Sequence, residues 1–114
     1  MLCDVLLRRT DDANVKSLSF DFGTSYPLFI SVFNRGLSDS NGEVMIDIQS
    51  SDNLNFELNE FSLDELEARE FIDLGGISYF QLNPNLSTGS VEEIKVEVYD
   101  QDNYRYSQTI QIII

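Results

Sequence analysis

Between Glu92 and Asp100 the chain alternates apolar and polar side chains without a break: Ile94, Val96 and Val98 against Lys95, Glu97 and Tyr99. A period of two puts one set on each face of an extended strand, whereas a helix, with a period of 3.6, cannot bury such a pattern. The alternation recurs at Leu18, Phe20 and Phe22, at Val44, Ile46 and Ile48, and at Tyr104, Tyr106, Ile110, Ile112 and Ile114. Gln108 falls within the last set; pointing inward, it needs a partner or marks a bulge. No stretch carries a long helical period.

The longest organised stretch runs from Tyr26 to Gln49 and reads as two strands folded on a polar turn. In its first arm Leu28, Ile30 and Val32 share one face and Phe29, Ser31 and Phe33 the other, so both faces are partly covered. The turn from Asn34 to Gly42 is rich in residues that accept positive φ or bond their own backbone. Elsewhere, Val5–Leu7 is a short strand before the polar turn 10–14, and 56–58 is another after the loop 50–55. Residues 61–74 read as a connection between sheets with one helical turn, since Ser62 and Glu65 have capping-box spacing. Gly75–Gly76 breaks that segment, and 77–84 is a strand with Phe80 and Leu82 inward, or Ile77 and Tyr79 in the other register.

These readings give seven to nine short strands with turns at near-regular spacing. The predicted fold is all-β: an immunoglobulin-like antiparallel β-sandwich, with an open barrel as the alternative. A chain of 114 residues is one domain, spanning 1–114. At this size folding buries roughly two-thirds of the unfolded chain's surface, enough for a core without disulfides or metal.

Composition removes several function classes. The chain has no His and one cysteine, Cys3, so neither an internal disulfide nor a His- or Cys-based catalytic site or soft-metal site can be assembled. Twenty acidic against seven basic residues give a net charge of −13, which repels nucleic-acid phosphates and anionic membranes. No apolar run approaches the roughly 20 residues of a spanning helix, so no membrane insertion is expected. The start MLCDVLLRRTDD does not read as a signal peptide, because Asp4 interrupts it and Arg8 and Arg9 follow the apolar run. The last strand runs to Ile114 without a tail, as in a domain excised from a larger protein.

Val32, Asn34 and Gly36, followed by Val44, Ile46 and Ile48, form a strand ending in Val-x-Asn-x-Gly, a polar turn and an alternating strand. This resembles the bacterial immunoglobulin-like or fibronectin-like modules of the CARDB type, cell-adhesion-related domains. Leu82 to Asp100, with its turn at Leu86–Gly89, resembles the E and F strands of those modules. The resemblance covers about two-thirds of the chain; residues 1–24 and the acidic connection 59–73 depart from it. It implies a structural role for Asn34 and Gly36, no active site, and work as a spacer, adhesion or docking module outside the cell or in the periplasm.

Several oxygen-rich positions are candidates for chemistry. Asp100, Asp102 and Asn103 offer calcium ligands on one loop, as do Asp52, Asn53 and Asn55, or Asp39 and Asn41. Calcium takes six to eight oxygens, and EF-hand spacing is absent, so turn chemistry is the favoured reading. No cofactor is otherwise implied. Asp64, Glu65, Glu67, Glu70 and Asp73 form the densest acidic stretch, read as a solvated connection rather than a hydrolase pair. Tyr99, Tyr104 and Tyr106 surround one hairpin and are read as packing residues before sugar- or protein-binding ones.

The sequence therefore predicts a non-enzymatic accessory module of a bacterial secreted or surface protein, with a protein partner or neighbouring domains. The alternative is a free-standing cytoplasmic acidic protein that blocks a basic or nucleic-acid-binding target by charge mimicry. That reading requires Glu43, Asp47, Glu92, Glu93 and Glu97 to gather on one face. A free sheet edge, the C-terminal strand's, is a docking candidate.

Overall fold

A computed structural model describes residues 1–8, 23–87 and 89–113. The elements are β1 (Cys3–Arg8), β2 (Tyr26–Asn34), β3 (Val44–Ser50), β4 (Leu54–Phe56), β5 (Glu60–Leu63), β6 (Phe71–Leu82), β7 (Val91–Tyr99) and β8 (Tyr106–Ile113). Among the described residues there is no helix, and so none long and apolar enough to cross a membrane. The strand predicted over Leu18–Phe22 lies outside the described residues.

Two four-stranded sheets, β1-β2-β6-β4 and β5-β3-β7-β8, are antiparallel throughout. Their centre, β1-β2-β6 facing β3-β7-β8, is that of an immunoglobulin-like sandwich, with β4 and β5 added at the sheet edges. The predicted inward sets close the core: Leu28, Ile30 and Val32 of β2, Val44 and Ile46 of β3, and Ile94, Val96 and Val98 of β7 are all fully buried. Each contributes about 1.5–3 kcal/mol by leaving water. Phe80 sits between the rings of Tyr26 and Phe56, with centroids 6.0 and 5.2 Å away.

The stretch Tyr26–Gln49 is not a hairpin. β2 bonds to β1 and β6, β3 bonds to β5 and β7, and the segment 35–43 crosses from one sheet to the other. Both strands already have two neighbours, and tight hairpins use loops of about 2–5 residues, well short of this connection. Residues 54–63 also change sheets. They pair with β6 as β4 and with β3 as β5. Through the changeover Glu57 N–H bonds Tyr79 O at 2.9 Å and Ile48 N–H bonds Asn59 O at 2.8 Å, so the backbone stays satisfied. The strand expected at 56–58 is instead Leu54–Phe56, sharing only Phe56 with that expectation and taking Leu54 and Asn55 from the expected loop.

The region 61–74 holds β5, a loop and the start of β6, with no helical turn. Gly75–Gly76 lies inside β6 and forms an irregularity there rather than a break. Gly75 has φ 64°, the register with β2 shifts around Phe29, and a Cβ on Gly76 would meet Pro27 Cβ at 2.9 Å. Tyr104 lies before β8 and is 73% exposed, outside the apolar face assigned to it. Gln108 keeps its inward parity with no bulge against β7, yet it is exposed, because β8 is an edge strand.

Candidate interaction surface

The outward residues of the first sheet fall in rows set by strand register. Asp4, Phe33 and Phe71 form one row, Leu6, Ser31 and Asp73 the next, and Arg8, Phe29 and Gly76 a third. Ser31 is far smaller than its neighbours Phe29 and Phe33, so it becomes the floor of a depression of about 540 Å³. Leu6 and Phe71 wall it and remain 53% and 55% exposed, while Asp73, Arg8, Gln108 of β8 and, along β1, Val5 and Leu7 complete the lining. The Ser31 hydroxyl donates to Asp73 Oδ1 at 3.3 Å, and Tyr79 extends the exposed apolar surface along β6.

Arginines supply the partial cover that the sequence implied for Phe29 and Phe33. The Arg8 guanidinium lies 5.7 Å from the Phe29 ring centroid and that of Arg69 lies 5.1 Å from Phe33. Arg8 pairs with Asp73 at 3.7 Å and Arg35 with Asp4 at 3.1 Å. Arg69 donates to Arg35 O at 2.7 Å and has no carboxylate within 4.0 Å among the described residues. Its φ of 63° is left-handed, an unfavourable conformation for a residue with a Cβ. Sequence reasoning missed this face as a site. The available signal was a pair of phenylalanines flanking a serine on the outward parity of β2.

One end of the sandwich gathers the loops 35–43, 64–70 and 100–105 with the N-terminus. Asn34, fully buried, binds the first two loops to the N-terminus. Its side-chain oxygen accepts from Gly36 N–H at 3.1 Å and Leu2 N–H at 3.3 Å. Its amide donates to Ser38 O at 2.9 Å, Glu67 O at 3.1 Å and Leu66 O at 3.3 Å. Asn34 is therefore a long-range tie as well as a turn maker. Gly36 lies against Leu2, whose nitrogen would be 3.0 Å from an added Cβ.

The calcium candidates Asp100, Asp102 and Asn103 come together in this end, joined by Asn41. Asp100 is 5% exposed. Its Oδ2 accepts from Asn41 N–H at 2.9 Å and its Oδ1 from Asp102 N–H at 3.0 Å. Asn41 also donates to Asp102 Oδ1, and Asn103 adopts φ 65°. Both Asp100 oxygens thus serve turn backbone. Asp39 accepts from Ala68 N–H at 2.8 Å, and Asn53, with Ser51, donates to the largely buried Glu92 carboxylate. Among the described residues no group of three or more Cys, Asp or Glu side chains is placed to hold a metal ion.

The acidic residues divide by face. Asp47, Glu93 and Glu97 point outward from the second sheet, with Glu60, Asp47 and Glu97 in one row; Glu92 turns to the opposite face, and Glu43 precedes β3. Glu97 binds Arg105 at 2.7 Å and Lys95 at 3.1 Å, and hydrogen bonds from these two cations, Arg105 first, hold its carboxyl below the ordinary range. Arg105 stacks 4.0 Å from the Tyr99 ring, while Tyr106 donates to Met1 O at 2.7 Å. In the stretch 64–73, Glu70 caps Glu67 N–H and Asp73 belongs to the Ser31 depression. Cys3 is buried beside β2, and desolvation, with Asp4 adding to it, pushes its thiol up to about 12.

No protein-family model matches the chain, and no curated protein matches it. A FixG-related protein from Vibrio parahaemolyticus aligns with 97% of this chain and 94% of its own, at a TM-score of 0.60 and 11% identity. The likeness is one of fold. A sandwich of this order tolerates nearly complete change of sequence so long as inward alternation is kept.

Proposed function

We propose that the chain is a non-catalytic immunoglobulin-like accessory module, of the cell-adhesion-related kind, that docks a protein partner or neighbouring domain of a bacterial secreted or surface protein. One observation carries this reading: the outer face of β1-β2-β6 leaves Leu6 and Phe71 more than half exposed near Phe33, with Phe29 and then Tyr79 further along the same face. A contiguous apolar patch rimmed by polar residues marks a surface kept for contact. Aromatic side chains and arginines are the residue types that dominate contact energetics.

The test is photo-crosslinking in the native cells. A photoreactive residue replaces Tyr79 on the first sheet or, as control, Gln49 on the second. The reading expects a discrete crosslinked product from position 79 and none from position 49. Equal yields from both positions, or none from position 79, would count against it. Protease treatment of intact cells tests the extracellular location: the module should be digested without lysis.

A further inference from the structure

We infer that the β1-β2-β6 face recognises an extended segment bearing a carboxylate and, two residues away, a bulky apolar side chain. This inference rests on the docking reading and adds the chemistry of the partner. Arg69 supplies the charge complementarity. In a chain with 20 acidic and 7 basic residues, an exposed arginine between Glu67 and Glu70 is expected to attract a carboxylate. It has none within 4.0 Å among the described residues, since Glu70 is committed to Glu67 N–H at 2.9 Å. Arg69 is instead fixed by its stacking on Phe33 and its bond to Arg35 O. One Nη is occupied there, and the remaining donors of the guanidinium fork suit an incoming carboxylate.

The apolar subsite is the depression over Ser31, next to Leu6 and Phe71. Ser31 and Phe33 are two residues apart on one face of β2, so the depression and the arginine-capped ring are separated by one strand repeat, about 7 Å. An extended partner places alternate side chains at that same spacing. The partner's carboxylate meets Arg69 and its apolar side chain enters the depression. Among the described residues two carboxylates share this face, and both are paired, Asp4 with Arg35 at 3.1 Å and Asp73 with Arg8 at 3.7 Å, which leaves the Arg69 donors to an incoming carboxylate.

The experiment is a 15N–1H NMR titration of the full chain with a blocked threonine hexapeptide carrying one Glu and, two residues on, one Leu. The inference expects saturable shifts at Ser31, Phe33, Phe71 and the Arg69 side chain. It expects at least a fivefold weaker dissociation constant when the peptide's Glu becomes Gln or its Leu becomes Ala. Arg69→Gln should abolish the Glu/Gln difference while leaving the rest of the spectrum native, and Phe71→Ala should abolish the Leu/Ala difference. Shifts on this face that are equal for the Glu and Gln peptides overturn the carboxylate assignment and leave the docking face standing. No shifts on this face up to several millimolar peptide overturn the inference, while crosslinking from position 79 separately decides the docking reading.

Discussion

Ser40 and Leu66 hold each other in a closed pair: Ser40 N–H donates to Leu66 O and Leu66 N–H donates to Ser40 Oγ, both at 2.8 Å. The Ser40 hydroxyl in turn donates to Gly42 O at 2.8 Å. This pair joins the 35–43 crossover to the acidic connection 64–70. Leu66, fully buried, is the apolar anchor of an otherwise polar segment.

Ser40→Ala leaves the buried Leu66 N–H without its acceptor, at a cost of about 1–3 kcal/mol. Leu66→Ala opens a cavity under the connection and costs about 2–5 kcal/mol. Urea denaturation should show both as a lower midpoint at unchanged slope. A neutral Leu66→Ala would mean that the connection does not seal the core.

Asn34→Ala removes both the acceptor for Leu2 and Gly36 and the donor to Ser38, Leu66 and Glu67. Asn34→Asp retains the acceptor but turns an oxygen toward carbonyls that need a donor, so it should destabilise at least as much. Amide exchange should rise at Gly36 and Leu2 in Asn34→Ala. Unchanged protection there would remove Asn34 as the tie.

Cys3 gives a pH prediction with a defined sign. Its folded-state thiol is raised to about 12, above the ordinary value of 9.0, so the neutral form is favoured by folding. Its contribution is fully present below the unfolded value and is lost as pH rises through the folded one. Stability should therefore fall more steeply between about pH 9 and 12 in the wild type than in Cys3→Val. Thiol labelling at pH 8 should be slow in the native protein and fast in urea, its rate reporting the opening of β1.

Glu97 has the opposite sign. Its carboxyl is depressed first by Arg105 and then by Lys95, so its contribution is present above the unfolded value and lost as pH falls through the folded one. Arg105→Ala should lower neutral-pH stability slightly, and the gap from wild type should close as acid protonates Glu97. Salt should shrink the difference, because the Arg105 side of the pair is open to water.

How much of this was legible in the sequence varies with the range of the interaction. The inward set Ile94, Val96 and Val98 is a local pattern, and it survives intact. Alternation says which face of β2 and β3 is buried but not which sheet each strand joins. The length of the 35–43 segment is the signal against a hairpin. Asn34 reads locally as a turn residue, but its partners Leu2 and Leu66 are each 32 positions away. Gly75–Gly76 looks like a boundary, although in an ordered strand two glycines also admit an irregularity and close packing against Pro27. The Ser31 depression depends on register across three strands, which no single stretch reveals.

Asp100 offers a test of the loop chemistry. Both of its carboxylate oxygens are bonded to backbone N–H groups, so melts with calcium and with chelator should share one midpoint, whereas Asp100→Ala should lower it. A midpoint raised by calcium would instead establish a bound ion, since a ligand of the native state must stabilise it.

The central claim is that the β1-β2-β6 face is kept apolar for contact rather than for stability, and the double variant Leu6→Ser, Phe71→Ser tests it most directly. Both side chains are more than half exposed, so the account predicts an unfolding free energy within about 1 kcal/mol of wild type together with loss of the crosslink from position 79. A stability loss of core size, or an undiminished crosslink, would contradict it.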